Sequence, residues 1–527
     1  MRQSTRIIAN TLASYANSLV ALVAILFSAR WVLQALGETD FGLYGVVGSL
    51  VLLLTFLNNG LQMGVARFFA FSIGKGSTLD VSDTQRELKY WFNTAFSIHL
   101  ILPFALVVLS WPIGEYAIKH WLTVPIERVD ACLVVFRISL VTVFVSVFSV
   151  PFISLYKAHQ LIAELAFFGL VRSLLVVVAA WMLLQVNGDS LVNYAIYMMA
   201  INAGIPCLQI ARAFRRFPSC RVKRDYMFSR RHFSELFSFV GWKIFGLSCV
   251  AFRMQGAPIL VNLFFGPQVN AAYSIADRVS VQSDTLAKSM MGAFQPAITS
   301  MEGRGDRELM LQSCLRVCKF GSVLVLLFAI PLILEMENVL TLWLTTPPSH
   351  AAILCQWMLA TLIVGRFTAG HMLAINAFGK IKYYEIVQGL TLLSALPLAF
   401  ILFKLDFDPS FMGFSLFVTT VLYASSRLIF CRALLGLRAR LWFRTVMMPL
   451  IVAISVSLIF GSFSRLYFED GFFRLLLTSI LSSGTLVILS WFIVLDAQER
   501  AWSLDASRKI CKKLDGFREA MRGKTNL

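Results

Sequence analysis

Long apolar stretches separated by short polar breaks run through the whole chain. A membrane-crossing helix needs about twenty mainly apolar residues. Stretches of that kind lie near 7–33, 42–71, 91–117, 131–156, 160–184 and 190–211. Six more follow a basic connector, near 236–263, 268–299, 320–344, 351–376, 383–403 and 411–431, and a last pair lies near 446–463 and 475–495. The pattern predicts an all-α integral membrane protein of about fourteen transmembrane helices. Its parts are an N-terminal six-helix lobe over 1–211, a basic cytoplasmic connector over 212–235, a C-terminal six-helix lobe over 236–431, an additional helix pair over 432–495 and a cytoplasmic tail over 496–527. The stretch 268–299 is polar enough for a hydropathy scan to miss. It is counted because both flanking connections look cytoplasmic: Arg212, Arg215, Arg216, Arg221, Lys223, Arg224, Arg230 and Arg231 precede 236–263, and Arg304 and Arg307 follow.

Composition agrees with a lipid environment: of 527 residues, 58% are apolar and 14% charged. The net charge of +18 fits basic cytoplasmic loops rather than nucleic-acid binding. With the N-terminus inside, 32 Lys and Arg fall in inside segments and 5 in outside ones, so both termini are expected on the cytoplasmic side. Arg2 and Arg6 precede the first stretch with no small-residue cleavage site, which reads as a retained span. In the tail, Ile510, Leu514, Phe517 and Met521 stand at helical spacing among Arg508, Lys509, Lys512, Lys513 and Arg518. That is either an amphipathic helix on the anionic membrane surface or a solvated basic tail. No loop exceeds roughly thirty residues, which leaves no room for an extramembrane catalytic domain. Nine scattered cysteines imply no disulfide framework, and Cys314 and Cys318 have no second Cys or His pair to complete a metal site. No G-x-x-x-x-G-K-[ST] occurs, so energy must come from an ion gradient, the membrane potential or consumption of product; no cofactor is expected.

Ionisable groups inside spans are expensive and usually face a cavity or a partner. The basic ones are Arg30, Arg67, Arg137, Arg172, Lys243, Arg253, Arg278, Lys288, Arg366 and Arg427; against them the pattern sets Glu164, Asp277, Asp284, Glu335 and Glu337. A net cationic interior suits an anionic head group such as a diphosphate. In the eighth stretch Tyr273, Asp277, Ser280, Asp284, Lys288 and Gln295 share one helical face, widened by Arg278, Gln282, Thr285 and Ser289. Two readings stand. Asp284 pairs with Lys288, and Asp277 with Arg253 or Arg278, as structural ion pairs; or Arg253, Arg278 and Lys288 line a cavity while Asp277 or Asp284 releases a proton or sodium ion. Arg30, Arg366 and Lys243 offer phosphate contacts at different depths. Arg67, Arg137 and Arg427 lie near span ends, where long side chains snorkel to head groups. Asn58, Asn59 and Gln62 either bind sugars or bridge helices, and His371 is a packed residue or a proton carrier. Pro151, Pro331 and Pro397 are candidate kinks.

The halves repeat weakly: Gly37 and Tyr44 match Gly266 and Tyr273 at a constant offset of 229 residues. Two six-helix halves running in the same direction are one of the repeat types used for alternating access. The runs Ala29-Arg30, Leu36-Gly37-Glu38-Thr39-Asp40-Phe41-Gly42-Leu43-Tyr44, Asn59-Gly60-Leu61 and Arg67-Phe68 resemble the opening of the polysaccharide transporter family of the MOP exporter superfamily. Phe265-Gly266, Tyr273-Ser274-Ile275-Ala276 and Pro296 look like that family's seventh-to-eighth span region, and Ala377-Phe378-Gly379-Lys380-Ile381-Lys382-Tyr383 like its loop between the tenth and eleventh. The resemblance implies a Wzx-type flippase, a two-lobed bundle whose cationic cavity carries undecaprenyl-diphosphate-linked oligosaccharide outward for surface polysaccharide such as O-antigen or exopolysaccharide. Membrane lipids, a coupling H+ or Na+ and other polysaccharide-assembly proteins are the partners it implies.

Two rivals remain. A multidrug extruder of the same superfamily should have an acidic cavity for cationic cargo. A membrane polymerase or glycosyltransferase should show an acidic pair at the surface, for which Glu335 and Glu337 are the candidates.

Overall fold

A computed structural model describes residues 3–75, 81–120, 124–220, 222, 226, 229–344, 347–501 and 503–504. The basic tail from Arg508 onward lies outside the described residues. The described chain is all helical. Helix α1 runs Gln3–Lys75, and α2 Val81–His120 follows. Next come α3 Val129–Phe148, α4 Val150–Ala158, α5 Ile162–Leu183 and α6 Ser190–Arg216. The second half repeats the plan with α7 Arg230–Arg304, α8 Arg307–Leu344, α9 Ala351–Phe367 and α10 Ala369–Phe378. It continues through α11 Lys382–Leu393, α12 Ala395–Lys404 and α13 Phe411–Leu435. A short α14 Ala439–Trp442 leads into α15 Met448–Tyr467 and α16 Phe472–Leu489.

Among the described residues, ten helices are long and apolar enough to cross a membrane, and α9 with α10, bent by 46°, makes an eleventh. The stretches 7–33, 42–71 and 268–299 are helical too, within α1 and α7. At 1.5 Å per residue, 73 continuous residues of α1 would reach about 110 Å, several times the hydrocarbon thickness. The rod does not run straight. Gly37 adopts φ 72° and ψ 171°, and in α7 Gly266 adopts φ 79° and ψ −176°, so each long helix is two rods meeting at a left-handed glycine. The repeat at an offset of 229 is therefore a repeat of backbone conformation.

That offset extends to packing. A Cβ on Gly74 would overlap the carbonyl oxygen of Ser300, and one on Gly303 would overlap that of Phe71. Since 74 and 303, and 71 and 300, are each 229 apart, the two contacts are one contact seen from either half. Likewise Ser18 Oγ lies 3.0 Å from Ser289 Oγ, and the space at Gly60 is met by Leu247, its counterpart pair. Small residues at these crossings let the backbones approach, as membrane helices require.

The core follows the same geometry. At the end where α1 and α7 finish, one apolar cluster takes residues from both halves, among them Val65, Phe69, Phe152, Val240, Ile298 and Leu373. At the other end each half keeps its own: Val32, Val47, Phe136 and Leu191 in the first, Val261, Tyr273, Leu359 and Phe403 in the second. The bundle is closed at the first end and divided at the end carrying Gly37 and Gly266.

Breaks in the rods sit next to the expected prolines. Helix is interrupted at Ser149 and Ser394, just ahead of Pro151 and Pro397. Pro331 cannot donate to the Leu327 carbonyl, and Ser483 of α16 donates to it instead at 2.9 Å. The last helix pair is fixed to α8 by that bond and by the ion pair of Arg474 with Glu335 at 2.8 Å, and the segment after it by Lys319 with Glu499 at 2.8 Å.

Candidate functional site

The second half of α7 carries the polar face expected from the sequence, and the structure divides it. Tyr273 and Asp284 turn inward and are buried, Asp277 is half-buried, and Arg278, Gln282 and Lys288 are exposed. Asp284 accepts from Arg366 Nη2 at 2.6 Å and from Lys288 Nζ at 3.1 Å, so two of the expected cationic site residues converge on one expected carboxylate. The cluster keeps one positive charge in excess. Asp284 Oδ1 is buried with no hydrogen-bond donor, an acceptor left for a proton or a ligand.

Arg366 is placed by a break. It stands two residues before Thr368, where α9 bends into α10, and the carbonyl freed there at Gly365 accepts from Arg427 Nη1 at 3.2 Å, with Thr368 Oγ1 at 3.4 Å. Arg427 is only 4% exposed. It does not snorkel, correcting the expectation for it: a carbonyl without a helical partner is a better neighbour for a guanidinium than a distant head group. Arg67 differs from expectation in the same way. Its Nε and Nη2 donate to the carbonyls of Asn376 and Ala377, at 2.8 and 3.1 Å, joining the first half to the C-terminal end of α10. Arg137, by contrast, is well exposed and paired with Glu115 at 2.6 Å.

Lys243 is buried, 2.5 Å from Glu385 and 3.1 Å from Asn376 Oδ1, so its charge is spent inside the second half. Glu385, just inside the 383–403 stretch, is an acid the sequence pattern leaves out; its place near a span end disguised it as a loop carboxylate. Arg253 lies near Tyr273 and Asp277, and its Nε is buried without a partner. Arg30 is exposed on α1, with no ion pair among the described residues, and Arg278 is likewise exposed. Arg253, Asp277, Arg278, Asp284, Lys288 and Arg366 thus belong to one side of the divide, and Arg30 to the other.

The remaining candidates resolve plainly. Asn58 donates to Ser146 Oγ at 2.7 Å and bridges helices. His371 is buried, with Nδ1 3.6 Å from Cys318 Sγ and its ring edge-on to Trp442, as a packed residue. Glu335 is buried and held by Arg474, Thr478 and Asn338, whereas Glu337 is exposed, so the two form no acidic pair. Among the described residues no group of three or more His, Cys, Asp or Glu is arranged to hold a metal. Gln62 accepts from Lys157, a contact legible only in the fold because Lys157 falls one residue beyond the 131–156 stretch.

At the divided end Arg128 ties the first half's connections together. It reaches Asp40, and it lies 2.8 Å from Asp189. Partial burial opposes ionisation of Asp189, but Arg128 and the amides of Val192 and Leu191 hold its carboxyl below the usual range.

No protein-family model matches the chain, and no curated protein sequence matches it. Solved structures do. An outward-facing multidrug resistance MATE family transporter of the MOP superfamily superposes with a TM-score of 0.68 at 14% identity, over 82% of this chain and 96% of that one. A MOP superfamily transporter from Pyrococcus furiosus, described by the reverse polarity of its binding pocket, gives 0.69 at 15% identity over the same shares. The MATE transporter ClbM in complex with Rb+ gives 0.67 at 16% identity, over 83% of this chain and 96% of that one. The fold is that of MATE transporters of the MOP superfamily, and the chain is a multi-pass membrane protein.

Proposed function

We propose that this chain is an alternating-access exporter whose cargo is an undecaprenyl-diphosphate-linked oligosaccharide, carried from the inner to the outer leaflet of a bacterial inner membrane for surface polysaccharide assembly. In this reading all fourteen stretches cross, both termini are cytoplasmic, and the closed end faces the cytoplasm, so the state described is open to the outside. Residues 1–211 and 236–431 form the two lobes, with 432–495 an added pair bound to the second. The observation that carries the cargo assignment is the charge of the site. Arg30, Arg253, Arg278, Lys288 and Arg366 outnumber Asp277 and Asp284, and Asp284 is already shared by two cations. A surplus of guanidinium and ammonium groups favours a diphosphate over a cationic drug.

Asp277 is the better coupling residue of the two carboxylates. It is half-buried and forms no ion pair among the described residues, leaving it free to take a proton or sodium ion. A second reading, export of another cargo on the same fold, is supported by the multidrug transporter among the structural neighbours. The test is the leaflet distribution of undecaprenyl-linked oligosaccharide in cells with and without the protein, read by enzymatic access from the periplasmic side. Trapping of completed units on the inner leaflet upholds the flippase; unchanged lipid-linked sugars refute it in favour of another cargo. Units that reach the outer leaflet but stay unpolymerised would instead support an enzyme acting later.

A further inference from the structure

Several buried cations in this protein are compensated by carboxylates. Lys243 has Glu385, Arg366 has Asp284, Lys319 has Glu499 and Arg474 has Glu335, all within 2.8 Å. Arg253, Arg427, Lys157 and Arg67 have no such partner among the described residues, and of these Lys157 and Arg67 stand together. Lys157 donates to the neutral amide of Gln62, and Arg67 to the Asn376 and Ala377 carbonyls. Neither has a carboxylate within ion-pair reach among the described residues. Glu235 and Glu302, which act on Arg67 from further off, are already held by Arg231 and Arg307. Cations without a carboxylate are costly in a membrane bundle unless an anion or water relieves them.

Both cations line the same chamber. It is a half-open cavity of about 350 Å³ between α1, α4, α5 and the second half of α7, with the Ser18–Ser289 contact in its wall. At about 30 Å³ per molecule that is room for on the order of ten waters, or for a phosphoryl group with part of its hydration. Its walls add the polar side chains of Asn17, Gln62, Ser289 and Gln295, and Asn17 Oδ1 is buried without a donor. With its carbonyl oxygen taken by Lys157, the amide nitrogen of Gln62 remains to donate.

We infer that this chamber is an anion site in which Lys157 and Arg67 take a phosphoryl group, with the neighbouring amides and hydroxyls completing its hydrogen bonds. The inference rests on the proposed export of an anionic cargo and adds where its charge is received. It is separate from the Asp284, Lys288 and Arg366 cluster, which lies on the second half alone. Because Arg67 also joins the halves through the end of α10, an anion drawing its guanidinium into the chamber would weaken the closed end. Loading would thus be tied to the change of state.

The test uses the full-length protein in nanodiscs and two probes, inorganic pyrophosphate and undecaprenyl diphosphate. Calorimetry should show at least one of them binding, with affinity reduced at least tenfold in Lys157→Gln and in Arg67→Gln and largely kept in Lys157→Arg. Pyrophosphate bound as well as the lipid would identify the phosphoryl group itself as the ligand; lipid bound alone would identify the head group of an anchored substrate. A readout on the unaltered protein guards against misfolded variants: acetylation of Lys157, followed by mass spectrometry, should slow when the probe is present. Undiminished binding in both glutamine variants, or no protection of Lys157, overturns the inference. If Arg253→Gln abolishes binding while Lys157→Gln and Arg67→Gln do not, the chamber is refuted and the anionic cargo stands. Absence of binding to the unaltered protein refutes both.

Discussion

Helix α1 beyond Gly37 and helix α7 beyond Gly266 begin on glycines of the same conformation and end on Gly74 and Gly303, each lying against a carbonyl of the other. Their chemistry differs. The first carries one basic residue in its span, Arg67 near the end, and uses it to join the halves; the second carries Asp277, Arg278, Asp284 and Lys288 within twelve residues. The scaffold is duplicated and the charge is not. A backbone repeat is enough to make two halves that rock about a common axis. Recognition of cargo needs asymmetry, because a charge cluster copied into both halves would face its own like at the centre.

The comparison breaks most sharply at Lys243, whose counterpart 229 residues earlier is Ser14. Lys243→Met leaves Glu385 buried and alone and should cost about 3–5 kcal/mol, seen as a large fall in the unfolding temperature of the purified protein. Ser14→Ala should stay within about 0.5 kcal/mol. Adding Glu385→Gln to Lys243→Met should recover most of the loss; failure to recover would mean the pair is not what that site rests on.

At the crossing, symmetry predicts equality. Gly74→Ala and Gly303→Ala each drive a methyl group into a backbone carbonyl and should each cost about 1–3 kcal/mol, whereas Gly292→Ala meets open space and should be tolerated. Thermal unfolding of the three variants checks this, and a twofold difference between the first two would show that the halves do not share the contact evenly.

Charge should then separate the halves by function. Arg366→Ala and Arg253→Ala should lower export about tenfold, equivalent to about 1.4 kcal/mol, while the protein remains in the membrane; Arg30→Ala should do the same from the opposite side. Lys at each position should restore part of the activity. Normal export in all three alanine variants would remove the cationic site from the account.

The smallest effect lies at the divided end of the first half. Asp189 is held below the ordinary aspartate value of 3.8, so its contribution is present above that pH and is lost as pH falls through the lower folded value. About a third of its side chain is exposed, which limits the effect to less than about 1 kcal/mol. Asp189→Asn should flatten the acid limb of the stability profile slightly and lower stability by the same small amount in the neutral range.

The helical plan was legible because twenty-residue apolar runs and Lys/Arg placement are local signals, and Gly37 and Gly266 announced the repeat through spacing alone. The polar second half of α7 was legible for the same reason. Partnership was not. The Asp284–Lys288 pair follows from helical spacing, but Arg366 reaches Asp284 only because α9 bends at Thr368, and no sequence separation encodes that meeting. Arg67, Arg427 and Lys157 sit near span ends, where sequence cannot tell a side chain reaching for head groups from one capping a buried carbonyl. Glu385 was hidden by the same ambiguity.

The most direct test of an anionic cargo is translocation in proteoliposomes holding only this protein, supplied in one arm with undecaprenyl-diphosphate-linked oligosaccharide and in the other with an apolar cationic dye. The account predicts that the anionic lipid becomes accessible to an enzyme on the opposite face under an imposed ion gradient, that Arg366→Ala slows it, and that the dye is not moved. Transport of the dye with the lipid left in place would contradict it.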